Sequence, residues 1–519
     1  MQLLSVFVII AAALASATAP PTCRFANFFA PSMVLQRNQP LTIWGFATPG
    51  DSISLSLDAG AQVKAVTDNE GVWRVTLPPN SASDVNHTLT LVCPSGSDVT
   101  IDGVLFGIVL GCHGQSNMDV AVNYAFNATA EINDSKSRPL LRFASVAETQ
   151  STTPAQDFNL STTWVSAAAP PNFASDWSAV CYFSGRGVYD AMGGTIPVGL
   201  FHAAVGGTPI QAWTPTNAID LCTPTPKGNV NNSVLYNAML APLRLGPAVF
   251  SSLIWYQAEW NLGQDVYYEC ALPALITSWR AALVAPALPF TVVQLHAWNM
   301  TDLRDPLALP MMRAAQLRGG FSLPHVAVVP AYDGGDPHSP VGSIHPRGKQ
   351  RPSARVARAA LALAINASVR WQAPTYQASS VVVSTPPSTV AVDISFTSNS
   401  IGAGGLEIIL PHSDPVNSWA TYCPIDQGIP IELCAWASVC VNASGTGSAP
   451  FNGLWLNATP SIGVSGMTLR LTAAFPPNMP EGVILTPVAS SLAFGTWPVV
   501  MVIDKDTGLP AFPFNFSLS

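Results

Sequence analysis

Six short apolar runs, at 104–111, 140–146, 195–205, 249–257, 290–296 and 325–331, alternate with helix-like stretches, and this alternation restricts the fold of the middle of the chain more than any other feature. Continuous apolar runs of this length suit strands covered on both faces. The clearest intervening segments, NSVLYNAMLAPLRL, ALPALITSWRAAL and ARVARAALALAI, suit amphipathic helices. The expectation is an α/β unit over 104–366 with a parallel sheet, in which function gathers where the strands end. Before it, 24–103 reads as a small antiparallel β-sandwich, because DSISLSLDAG and GVWRVTL alternate in period two between turn residues. After it, 367–519 is rich in Val, Ser, Thr and Pro without a convincing helix, and reads as a second β-rich domain.

At 519 residues the chain exceeds one ordinary core. Residues 1–19 have the apolar run and small-residue ending of a cleaved signal peptide, and no later run is long enough for a membrane span. About ten Asn-x-Ser/Thr sites, including Asn86, Asn127, Asn159, Asn299, Asn366, Asn442 and Asn515, agree with export to a secreted or lysosomal setting. Nine cysteines would then mostly pair, with a disulfide cluster expected around Cys423, Cys434 and Cys440 rather than a zinc site. The net charge of -8 without a basic run excludes a nucleic-acid partner.

Four segments bring polar groups to the ends of the apolar runs. The first ends in Gly114-Gln115-Ser116-Asn117, where a turn would hold the Ser116 hydroxyl above the sheet edge; Met118 rules out a G-x-S-x-G elbow. The second, 199–213, ends at Gly206-Gly207, whose N–H groups can face an anion. The third, 253–261, presents Gln257, Glu259 and Asn261, and an asparagine amide can donate to an oxyanion. The fourth is the Gly/Pro-rich loop 332–350, which carries His345 as the candidate base. Each segment alone also fits a turn, a helix cap or a hydrogen-bonded loop. His113, three residues before Ser116, reads as structural filling.

Taken in order, the blocks GCHGQSNM, GGTPIQAW, WYQAEWN and SIHPRGKQ, with MVLQRNQPLTIWGFATPG near the start, resemble the sialate O-acetylesterases, a group of the SGNH-type hydrolases related to bacterial acetyl-xylan esterases. The resemblance implies a flavodoxin-like SGNH hydrolase domain flanked by N- and C-terminal β-rich domains. It implies Ser116 as nucleophile and His345 as base, and an oxyanion hole from the Ser116 N–H, the Gly206-Gly207 pair and Asn261. It implies no cofactor and no metal, and as substrate a 9-O-acetylated sialic acid or another acetylated carbohydrate. Relatives carry an Asp just before the histidine, where this chain has Gly342, Ser343 and Ile344. Glu259 is then the first choice to orient His345, with Asp336 and Asp333 as alternatives. Ala258 and Trp260 also depart from the family pattern, which has a glycine and a small residue there.

Three other readings compete. One keeps the fold and takes acetylated plant or microbial polysaccharides as substrate. Another is an inactive carbohydrate-binding glycoprotein, which the intact Ser116, Asn261 and His345 oppose. The last is a metallohydrolase using Asp333, Asp336, His338 and His345, a spacing that matches no familiar metal motif. Trp213, Trp255, Trp260 and Trp298 could stack on a sugar ring or fill the core.

Overall fold

The computed structural model describes residues 23–94, 98–170, 173–246, 250–298, 308–383, 389–409, 434–435, 438–444, 454–474, 484–492, 497–498, 501–507, 509–512 and 514–517. The expected signal segment and Cys423 of the expected cysteine cluster lie outside them.

The N-terminal strands are β1 (Arg24–Phe25), β2 (Val34–Gln36), β3 (Leu41–Phe46), β4 (Ser52–Leu57), β5 (Val63–Val66), β6 (Val72–Leu77), β7 (Ser83–Val92) and β8 (Asp98–Gly114). The sheet continues through β9 (Leu141–Val146), β10 (Leu160–Ser166), β11 (Val198–Ala204), β12 (Ser252–Tyr256), β13 (Phe290–Val293) and β14 (Val326–Val329). Each of the six apolar runs therefore holds a strand.

β8 links the two regions. Its first part pairs antiparallel with β7, whereas it runs parallel to β11 from Ile108 and to β12 from Leu110, lying between the two. Residues 98–103 are mostly exposed or half-buried, and every residue from Val104 to Gly114 is buried. The change of texture at 103/104 thus marks a change in how one continuous strand is covered, not a break in the chain.

The strand order is β10-β9-β11-β8-β12-β13-β14, with β10 antiparallel at the edge. Numbered in chain order, the five contiguous parallel strands β11-β8-β12-β13-β14 run 2-1-3-4-5, with β9 and β10 added beyond β11. β9 joins the sheet on the outer side of β11, which pairs with both β9 and β8. The helix that precedes β11, Ala179–Ala191, is fastened to β8 by the Cys112–Cys181 disulfide.

Alternate residues of the sheet feed two cores. Ile108, Leu110, Cys112, Ile254 and Tyr256 pack under Ala179–Ala191 and Gln350–Ala364. Val109, Leu253 and Trp255 join a larger core with Asp265–Ala282 and Ala308–Phe321, and this core runs without interruption into Trp44 and Trp73 of the N-terminal strands. Disulfides Cys23–Cys93 and Cys222–Cys270 tie the surface.

Toward the C-terminus, Tyr376–Val383, Thr389–Phe396, Thr468–Ala474, Leu454–Ile462, Ser438–Ser444, Ile484–Leu492 and Phe514–Ser517 form an antiparallel sheet in that spatial order. The final segment docks on the α/β region: the Tyr332 hydroxyl donates to the Ala511 carbonyl at 2.6 Å. Among the described residues no helix is long and apolar enough to cross a membrane.

Candidate active site

β8 ends at Gly114, where φ is +152° and a Cβ would meet the Tyr256 carbonyl oxygen at 2.1 Å. Only glycine lets the strand turn so close to β12. The turn is held by the Gln115 N–H donating to that same carbonyl, 3.1 Å, and it starts a single helical turn, Ser116–Asp119. The Ser116 hydroxyl is thereby lifted above the carboxyl edge of the sheet.

Across that edge, Ser116 Oγ lies 2.9 Å from His345 Nε2. The other ring nitrogen, Nδ1, lies 2.8 Å from the Val341 carbonyl oxygen. A carbonyl can only accept, so Nδ1 carries the proton and Nε2 presents its lone pair to the serine hydroxyl. Partial burial lowers the His345 pKa, the Val341 carbonyl works against this, and the nearby Lys349 lowers it further. An imidazole so placed can take the hydroxyl proton.

Among the described residues, no carboxylate is hydrogen-bonded to His345. Asp336 is bound by the Arg347 guanidinium at 2.6 and 3.0 Å. Asp333 is held in a bidentate pair with Arg355 at 2.7 and 2.6 Å, with Arg351 nearby. Both carboxyls stay below their ordinary range because the arginines outweigh the cost of burial. Glu259 is fully buried and accepts from Asn117 Nδ2 at 2.6 Å; burial raises its pKa. The position expected for an acid is filled by main chain. With two of the proposed metal ligands engaged by guanidinium groups and His345 facing Ser116, Asp333, Asp336, His338 and His345 form no converging cluster.

Gly206 stands against Ser116: a Cβ there would lie 3.5 Å from the serine Cβ. Gly207 has φ +65°. Among the described residues, the main-chain N–H groups of Ser116, Gly206 and Gly207 donate to no protein acceptor. Asn261 differs from expectation. Its amide donates to Gln211 and Gln264, and its oxygen accepts from the Ile210 N–H at 2.9 Å and from Gln257. Both amide hydrogens are used, so Asn261 pins the loop that follows Gly206-Gly207 to the end of β12 and offers nothing to an oxyanion.

Sequence reasoning missed Asn117 and Lys349. Asn117 Nδ2 also donates to the Ile344 carbonyl at 2.8 Å, and Lys349 Nζ donates to Asn117 Oδ1. Burial pushes the Lys349 pKa down to about 7 against the pull of Glu259 and Asp336. One signal was legible: a lysine caps the start of Gln350–Ala364, the end of a helix that repels cations, so it needs carboxylates nearby. His113 is fully buried edge-on to Trp279, 5.2 Å between centroids, as structural filling. Trp213, Trp255 and Trp298 are buried, and Trp260 is half-buried with its main-chain N–H donating to Gln115 Oε1 at 3.3 Å.

A family model described as carbohydrate esterase, sialic acid-specific acetylesterase, matches residues 108–344. The chain is 32% identical over 375 residues to the sialate O-acetylesterase of Pongo abelii, covering 66% of this chain and 71% of that protein. The Homo sapiens sialate O-acetylesterase is 31% identical over the same shares. The chain belongs to the sialate O-acetylesterase family. Sialate O-acetylesterases are carboxylic ester hydrolases, and so is this member. The region matched by the family model takes in Ser116, Gly206, Gly207, Glu259 and Asp336 and stops one residue before His345. In fold, this sialate O-acetylesterase relative is similar to a crystal structure titled as a novel carbohydrate acetylesterase from Xanthomonas citri, with a TM-score of 0.74 at 23% identity, covering 95% of this chain and 99% of that one. The shared architecture is an α/β fold around a large mixed sheet.

Proposed function

We propose that the chain is a serine esterase that removes 9-O-acetyl groups from sialic acids on glycans by a Ser116–His345 acyl-enzyme mechanism. The carrying observation is the 2.9 Å contact between Ser116 Oγ and a ring nitrogen whose opposite partner is a main-chain acceptor. Ser116 Oγ attacks the acetyl carbonyl carbon while His345 Nε2 takes the hydroxyl proton. The tetrahedral oxyanion is met by N–H groups of Ser116, Gly206 and Gly207. The carbon–oxygen bond to the sugar breaks, His345 returns the proton to the leaving alcohol, and acetyl-Ser116 remains. Water, deprotonated by His345, attacks the acetyl carbon; acetate leaves and Ser116 recovers its proton.

In this reading the Val341 carbonyl fixes the tautomer of His345, as a carboxylate does in a Ser-His-Asp triad. The catalytic unit is an SGNH-type domain over 104–366 flanked by β-rich regions at 24–103 and 367–519. Secretion or lysosomal residence after removal of 1–19, with glycans on some sequons, is supported by the three disulfides.

The test is acetate release from 9-O-acetylated sialic acid, with acetyl-xylan as comparison. Ser116→Ala and His345→Ala should each lose about a thousandfold or more in kcat. Retention of activity in Ser116→Ala, with the variant folded by circular dichroism, would remove this mechanism. Faster release from acetyl-xylan would remove the substrate.

A further inference from the structure

A cavity of about 370 Å³ opens at the carboxyl ends of β9 and β11, within the size range of small-ligand sites. Ser116 and His345 do not line it, but two of its lining residues sit on the segments that carry the site. Asp119, on its wall, belongs to the same helical turn as Ser116, and Ala204 at the end of β11 pairs with Gly114 and precedes Gly206 by two residues.

Its chemistry is one-sided. Asp119, Glu148 and Asp176 ring the opening with exposed carboxylates, and among the described residues no lysine or arginine lines it. Trp177 forms part of the floor. His202, 5% exposed, also lines the cavity; its Nδ1 meets Ser145 Oγ at 3.1 Å and its Nε2 has no hydrogen-bond partner, with Asp119 Oδ1 at 3.7 Å. Burial pushes the His202 pKa down to about 4, so the imidazole is neutral and does not offset the carboxylates. Partial desolvation at the cavity mouth raises the Asp119 and Glu148 carboxyls, and Asp119 raises Glu148 further, as mutual repulsion requires.

A ring of acceptors around an aromatic floor suits a molecule rich in hydroxyl donors and without negative charge. We propose that this cavity is the sugar subsite of the esterase, that it takes the neutral polyhydroxylated part of the acetylated glycan, and that it disfavours a carboxylate. This rests on Ser116 as the nucleophile. A sialic acid would have to turn its carboxylate away from Asp119, Glu148 and Asp176, whereas a neutral acetylated sugar meets no such constraint.

The experiment compares acetate release from 9-O-acetyl-N-acetylneuraminic acid and from its carboxyl methyl ester. At low salt the methyl ester should show about tenfold higher kcat/KM, through KM, the effect of one or two like charges at the mouth of a partly screened site. The ratio should fall toward one in about 0.5 M salt, which needs no variant, and in Asp119→Asn/Glu148→Gln. Equal use of the two substrates by the unmodified protein, or a ratio that neither salt nor the double substitution moves, overturns the subsite. Failure of the mechanism would show separately, as acetate release surviving in Ser116→Ala with both substrates.

Discussion

Asn117 and Ile344, 227 positions apart in the chain, are joined by a 2.8 Å hydrogen bond from the asparagine amide to the isoleucine carbonyl. The bond fastens the residue after Ser116 to the residue before His345. Asn117 is itself fixed by Glu259 on one side and Lys349 on the other. The proton-transfer distance thus depends on a buried amide that touches neither reacting atom.

Asn117→Ala should lower kcat by about ten- to a hundredfold, the cost of misplacing a reacting group by roughly an ångström. Stability falls as well, because Glu259 and Lys349 lose a partner, so the rate is measured where the variant is folded. A positioning role lowers kcat and slows fluorophosphonate labelling of Ser116 while leaving KM nearly unchanged. A variant with a normal labelling rate would contradict it.

Lys349 sets the pH response of His345. Its own pKa near 7 means that it is charged through the acid range in which the imidazole titrates, and that charge disfavours imidazolium. Lys349→Gln keeps a donor for Asn117 and removes the charge, so the His345 pKa rises. The acid limb of the kcat/KM profile should move to higher pH, making the variant less active than the parent in mild acid. A limb that stays in place, or moves down, would show that the lysine charge does not reach the histidine.

Asp333 and Asp336 should behave as structural anions. Asp333→Asn leaves Arg355 without its partner in a buried setting and should cost about 3–5 kcal/mol of stability. Asp336→Asn, whose Arg347 partner is partly exposed, should cost less. Both should keep kcat within about tenfold where folded, unlike His345→Ala. A thousandfold loss of kcat in Asp336→Asn at unchanged melting temperature would make it the orienting acid after all.

Ala258 is buried with φ at 135°, a conformation suited to glycine, the residue the family pattern carries there. Such strain costs about 1–3 kcal/mol, against about 0.5–1 kcal/mol for the added chain freedom of glycine. Ala258→Gly should therefore stabilise the protein by about 1 kcal/mol, read as a higher denaturant midpoint at unchanged slope. A lower midpoint would mean that the neighbouring contacts already absorb the strain.

The six strands, the serine at the end of the first and the histidine loop were legible because each is a local pattern: apolar run, glycine turn, polar cluster. The place of β9 was not, since nothing in 141–146 distinguishes a strand that pairs with β8 from one displaced to the far side of β11. The partners of Glu259, Asp333 and Asp336 were equally hidden. Three carboxylates found an amide and three arginines, according to which side chains the folded loops brought within reach.

What the sequence alone determined is the inventory: strands long and apolar enough to be buried, and a hydroxyl, an imidazole and small residues placed where those strands stop. Those follow from backbone preference and burial, which act over a few residues. Only the tertiary structure decided that a main-chain carbonyl stands behind His345, that Asn261 is fully occupied holding a loop, and that carboxylates collect around the neighbouring cavity. Hydrogen bonds and charge pairs select partners by distances of a few ångströms, and such distances between remote segments exist only once the chain has packed.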